Sequence, residues 1–144
     1  MNRSGNVFDN CRFDKSVLVY PMLHDANLFS FESKEGTFNI LLESADNNLV
    51  ELKFTGIVEL KLDNFRKGNI VLDFFRIIES SAIQSELEIL FEQPNTYNEK
   101  LARFMSDTEG RILKDELKLI GFSESYGCHG LILCEEVMFR ASRI

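Results

Sequence analysis

Between Thr37 and Leu62 the chain switches between apolar and polar residues with a period of two, and this pattern constrains its fold more than any other feature. Phe38, Ile40 and Leu42 alternate in a first run. Val50, Leu52 and Phe54 alternate with Glu51 and Lys53 in a second, and Val58, Leu60 and Leu62 with Glu59 and Lys61 in a third. Successive side chains of a strand point to opposite faces, so each run reads as a strand with one dry and one wet side. Lys34-Glu35-Gly36 and Asp46-Asn47-Asn48 supply turn chemistry between the runs at hairpin spacing. The pattern predicts an antiparallel sheet. Gly56 interrupts what would otherwise be one overlong strand, which suits a bulge or sharp bend.

On either side the same logic predicts strands near Ser16 to Tyr20 and Asn27 to Ser33, the latter with Phe29 and Phe31 on one face. Asp63 to Gly68 reads as a polar loop around Phe65. From Asn69 to Ile78 both parities are largely apolar, which places that strand centrally, covered on both faces. Its cover is sought in two amphipathic segments. Ser81 with Gln84 reads as a capping box ahead of Ile83, Leu87, Leu90 and Phe91, one face of a helix ending before Pro94. Thr96 with Glu99 repeats the device ahead of Tyr97, Leu101, Phe104 and Met105, and Asp107 to Gly110 reads as the break. Two final strands are expected near Leu113 to Ser123 and Gly130 to Arg140. The expected class is α+β, mainly antiparallel β-sheet with two short helices packed on it, in one domain spanning residues 1–144.

Twenty-three acidic and sixteen basic side chains give a formal charge of −7. Residues 1–78 hold eleven acids and nine bases, whereas residues 79–144 hold twelve and seven, so the second half carries most of the negative field. Such a surface repels phosphate backbones and anionic lipid and attracts basic proteins. Neither nucleic acid nor a membrane is expected as a partner. The longest apolar run, Ile70 to Ile78, contains Asp73 and Arg76 and is far short of the roughly 20 residues that cross a bilayer. The first residues lack the apolar core of a secretory signal, and Cys11, Cys128 and Cys134 are an odd, unpaired set. A cytoplasmic protein without a structural disulfide is the expectation.

Chemistry has few footholds. His24-Asp25 is the one adjacent pair suited to proton transfer, but a lone dipeptide at the mouth of a strand more often serves a turn. Cys128-His129 with Cys134 and Cys11 has the ligand types of a zinc site without the two-to-four-residue spacing of a knuckle, so no metal is expected. No glycine-rich phosphate cradle and no G-x-S-x-G elbow occurs. Glu135-Glu136 falls on opposite faces of a strand, which is poor geometry for an acid/base couple. No catalytic residue and no cofactor is expected.

Leu23-His24-Asp25-Ala26 followed by an alternating strand resembles the immunity protein 50 family of bacterial polymorphic toxin systems. The run Leu52-Lys53-Phe54-Thr55-Gly56-Ile57-Val58-Glu59-Leu60-Lys61-Leu62, then Phe65, and Asn69-Ile70 leading into Asp73, carry the same likeness. It covers about residues 22–78, and Ser125-Tyr126-Gly127 with Cys134 is compatible with it. The resemblance implies a cytoplasmic antidote that binds a cognate toxin domain and blocks it sterically without catalysis. It transfers no contact residue. On the residues alone, the first helix presents Ser85, Glu88 and Glu92 opposite Ile83 and Leu87, with Glu86 and Ile89 flanking and Glu99 on the second helix. Glu86, Glu88, Ile89, Glu92 and Glu99 are therefore the expected partner-binding residues, set against an ordinary solvated helix face. A small enzyme using His24 and Asp25, and a homo-oligomeric domain, stand as the other classes.

Overall fold

The computed structural model describes residues 7–63, 70–91, 99–124 and 129–143. Their elements are β1 (Asp9–Asn10), β2 (Arg12–Asp14), β3 (Val17–Tyr20), β4 (Ala26–Lys34), β5 (Thr37–Glu43), β6 (Asn48–Thr55), β7 (Glu59–Asp63), β8 (Ile70–Arg76), α1 (Ser80–Leu90), α2 (Glu99–Leu113), β9 (Lys118–Glu124), β10 (His129–Cys134) and β11 (Glu136–Arg143). All the strand pairs are antiparallel, and the two helices follow β8. The architecture is α+β, as the alternation predicts.

The pairings return on themselves. From β4 they run through β5 and β6 to β11, and from β8 through β9 to β10; β4 meets β8 at Ala26↔Val71 and Asn27↔Ile70. At the other corner, β6 and β7 form one ribbon that bends at Gly56, while β10 and β11 form a second that bends beside it at Glu135. The ribbons stay paired through the bend, with Thr55↔Glu136 on one side and Glu59↔Leu133 on the other. Gly56 has φ +63°, and the Glu135 amide donates to the carbonyls of Thr55 and Gly56. The bend expected at Gly56 is therefore a corner of the whole sheet.

Inside the ring lies the larger core. Phe38, Ile40 and Leu42 of β5, Val50, Leu52 and Phe54 of β6, and Val137 and Phe139 of β11 point inward and are buried. Phe74, Ile120, Phe122 and Ile132 meet them from the other wall, with Phe74 and Phe122 at a centroid distance of 5.0 Å. The opposite faces of β9 and β10 carry Leu119, Leu131 and Leu133, which pack under Ile83, Leu87 and Leu90 of α1 and Ile112 of α2. Two-sided burial is reached in β8 too, where Phe74 joins the inner core and Phe75 the helical one. Gly121 faces Phe75 across the β8–β9 pair and Gly130 faces Phe122 across β9–β10, so each ring lies over a residue with no side chain of its own.

The N-terminal segment adds strands to β11 and β8. β1 pairs with β11, and after Cys11 the chain continues as β2, which pairs with β3; β3 in turn joins β8 at Val17↔Phe75. Tyr20 packs edge-on against Phe139 at 5.0 Å and carries the Arg12 guanidinium over its ring. The period-two reading had placed only β3 here.

Several sequence expectations are corrected. Phe29 and Phe31 are exposed, whereas Ala26 and Leu28 supply the buried side of β4. The register shifts between Leu28 and Ser30, so Phe29 is an extra residue that resets the alternation. Val58 is exposed, leaving Leu60 and Leu62 as the partly buried positions of β7. The expected strand from Gly130 to Arg140 is two strands separated by the Glu135 corner, and that from Leu113 begins only at Lys118. Ser81 does not cap α1. Glu79 occupies that position without a side-chain bond, and the Ser80 hydroxyl donates instead to Glu109 of α2. Helix α2 runs through the expected break to Leu113, since Ile112 is buried and the Thr108 hydroxyl folds back onto the Phe104 carbonyl. It is closed by Asp115 just beyond, whose φ of +65° gives the left-handed cap, with Lys114 and Asp115 amides bonded to Gly110 and Ile112 carbonyls. Thr96, Tyr97, Ser125 to Cys128 and all but Asp63 of the loop expected from Asp63 to Gly68 lie outside the described residues.

Candidate functional site

Of the predicted partner residues, Glu86, Glu88 and Ile89 lie on α1 and Glu99 on α2. With Ile83 and Leu87 facing the sheet, Ile89 falls on the outward face and is 50% exposed. Helical geometry separates Glu86 and Glu88 by about 200° around the axis, one on each flank of that residue. Glu88 lines a groove of about 250 Å³ between the helices, with Gln84, Leu87, Met105 and Glu109. Helix α1 contains no basic residue. Glu99 is exposed but faces Arg103 of its own helix at 3.7 Å, which spends part of its charge locally. Glu92 lies outside the described residues. Glu86 and Glu88 thus lie on opposite flanks of Ile89, with only Glu88 in the groove, and Glu99 is partly neutralised.

Phe104 is 44% exposed, although the helical spacing had assigned it to the buried stripe. Its ring meets Phe91, the residue after α1, edge-on at 5.2 Å. The buried stripe of α2 is carried by Thr108 and Ile112.

His24 and Asp25 occupy the turn that leads into β4, closed by the Ala26 amide on the Leu23 carbonyl at 3.1 Å. Asp25 has φ +61°, a conformation that Asp tolerates better than most residues. His24 Nε2 lies 3.5 Å from Asp25, and its Nδ1 lies 3.3 Å from Asp73 of β8. All three side chains are about half exposed. Asp73 was not foreseen, because 49 residues separate it from His24 and the two meet only through the β4–β8 corner. Cys11 and Cys134 are both thiols whose burial pushes their pKa up to about 12, so neither resembles an activated nucleophile. Among the described residues no group of three or more His, Cys, Asp or Glu side chains could hold a metal.

A larger cavity was not signalled by any local motif. It measures about 620 Å³ and lies where the β2–β3 turn, the end of β8, the cap of α2 and the Glu135 corner converge. Lys15, Arg76 and Lys118 line it together with Asp115 and Glu136, and Phe13, Ile78, Ile112 and Val137 supply apolar wall. The Arg76 amide holds the hairpin turn through the Ser16 carbonyl at 2.6 Å. Its guanidinium donates to Asp115, and Lys118 Nζ lies 3.5 Å from the same carboxylate. Hydrogen bonding from Arg76 is the main reason that the Asp115 carboxyl is held below its ordinary range, against a weaker opposing effect of burial.

Comparison of the chain with known protein families, with curated proteins and with solved structures finds no match in any of the three. Among the described residues no helix is long and apolar enough to cross a membrane.

Proposed function

We propose that this chain is an immunity-type binding protein of the cytoplasm that neutralises a cognate toxin domain by steric and electrostatic occlusion, without a chemical step. The observation that supports this reading best is the outer surface of α1. An exposed Ile89 stands between Glu86 and Glu88 on a helix with no basic residue, anchored from beneath by Ile83, Leu87 and Leu90. An apolar anchor ringed by charge on a rigid element is what a protein interface needs for affinity and for steering toward a basic partner. The sequence resemblance to immunity protein 50 points the same way. The alternative, a small enzyme built on His24 and Asp25, would have to work from a half-exposed turn. Water screens charge there and weakens the electrostatic stabilisation on which acid–base catalysis draws.

Co-expression with a toxin domain encoded beside this chain tests the proposal. Rescue of growth together with a stable one-to-one complex is expected; failure of both overturns the antidote reading. Reversing the α1 charges with Glu86→Lys and Glu88→Lys should slow association about tenfold at low ionic strength and much less at high salt. Unchanged kinetics would move the interface off this helix.

A further inference from the structure

We propose that the cavity lined by Lys15, Arg76 and Lys118 is a binding site for a small amphipathic carboxylate, with Asp115 acting as the intramolecular anion that such a ligand displaces. The inference is independent of the antidote reading and uses a different part of the molecule.

Three observations carry it. The cavity holds three cationic residues against two carboxylates in a chain whose net charge is −7, so its charge balance runs opposite to that of the protein as a whole. Two of those cations are recessed: the Arg76 and Lys118 side chains are only 21% and 24% exposed, and removing cations from water favours a bound counter-charge. Finally, the donors exceed the acceptors supplied. Arg76 Nε is buried with no hydrogen-bond partner among the described residues, and its guanidinium offers five donors in a fixed fork. Lys118 has three donors, of which one reaches Asp115 and one the Glu135 carbonyl at 3.3 Å.

Asp115 is the occupant now. Its side chain is 64% exposed and hangs from the left-handed cap of α2, so it can swing away without disturbing a packed core. Asn also tolerates that backbone conformation, which makes Asp115→Asn a clean removal of charge. The apolar wall of Phe13, Ile78, Ile112 and Val137 selects a ligand with a hydrocarbon body over an inorganic ion. The volume of about 620 Å³ lies within the ordinary range for small-molecule sites.

The test uses the full chain and two probes of equal length and opposite charge, octanoate and octylammonium, followed by amide chemical shifts. Octanoate is expected to shift the Lys15, Arg76, Asp115 and Lys118 amides along one saturable curve, and octylammonium to leave them in place. Asp115→Asn should tighten octanoate about threefold or more, because the competing carboxylate is gone, whereas Lys118→Ala should weaken it about tenfold. Lys15→Ala, at the rim turn, provides a second cation deletion should Lys118→Ala fail to fold. Equal binding of both probes, shifts confined to other residues, or weaker binding in Asp115→Asn would each overturn the proposal.

Discussion

Glu135 lies across Gly56 at the bend shared by the two ribbons: its amide donates to the Gly56 carbonyl at 3.2 Å, and its side chain fills the space a Cβ on Gly56 would enter. The contact couples two strand pairs that run in different directions on either side of it. A side chain at residue 56 would meet both an unfavourable φ of +63° and the outer half of the Glu135 side chain, its carboxylate and Cγ.

Gly56→Ala is therefore expected to destabilise the fold by about 1–3 kcal/mol, read from the urea midpoint at unchanged slope. Gly36 has a φ of +76° but open space around its would-be Cβ, so Gly36→Ala should cost only about 1–2 kcal/mol. Adding Glu135→Ala to Gly56→Ala should recover part of the larger loss. No recovery would locate the whole cost in backbone strain.

The helical layer offers a contrast between two apolar residues. Ile83 is fully buried against β9 and β10, and Ile83→Ala should cost about 2–5 kcal/mol through lost burial and the cavity left behind. Phe104 is 44% exposed, so Phe104→Ala should cost about 1 kcal/mol or less, most of it the contact with Phe91. Similar losses at both sites in thermal or chemical unfolding would contradict the packing described.

Gly130 is opposite Phe122, and an added Cβ would fall 2.2 Å from that ring within the inner core. Gly130→Ala should destabilise by about 1–3 kcal/mol or more, since overpacking there must displace a buried aromatic. The reverse change in the partner, Phe122→Leu, should relieve the clash in the double variant, measurable as non-additivity in unfolding free energies.

The ion pair at the cap of α2 gives stability a defined response to acid. Asp115 has its pKa lowered in the folded state, so its contribution is present above the ordinary carboxylate range and is lost as the pH falls through the depressed value. Melting temperatures of the parent and Asp115→Asn, compared from about pH 7 to about pH 3, should differ at neutrality and converge at the acid end. A gap that widens on acidification would reverse the sign of this linkage.

Burial governs the two described thiols. With the pKa of both Cys11 and Cys134 raised to about 12, on the order of one thiol in ten thousand is ionised near pH 8, and alkylation of the native protein should be slow at both. Peptide mapping after iodoacetamide should show them modified rapidly only in denaturant. Rapid native labelling of Cys134 would mean that the β10 end opens readily.

The strands that alternate cleanly, β5 and β6, were legible because each inward residue is opposite another inward residue in register, Phe38 with Phe54 and Ile40 with Leu52. Phe29 was misread for the complementary reason: one inserted residue inverts parity, and nothing local distinguishes it from a regular position. Asp107-Thr108-Glu109-Gly110 resembles a terminator by composition, yet burial of Ile112 outweighs the propensity of four residues. The acidic flanks of Ile89 could be read from helical spacing, but the neutralisation of Glu99 by Arg103 became clear only with the side chains placed. The cavity was invisible in the chain because Lys15, Arg76 and Lys118 come from three separated segments. No spacing rule unites them.

Strand β11 is the last to be synthesised of all those described, yet it lies between β6 and β1 and supplies Val137 and Phe139 to the inner core. While residues 136–143 are still being translated, β6 has an unpaired edge and β1 has no partner strand, although β3 can already join β8. The Phe-rich interior is therefore completed late, by the strand that brings Val137 and Phe139 to it.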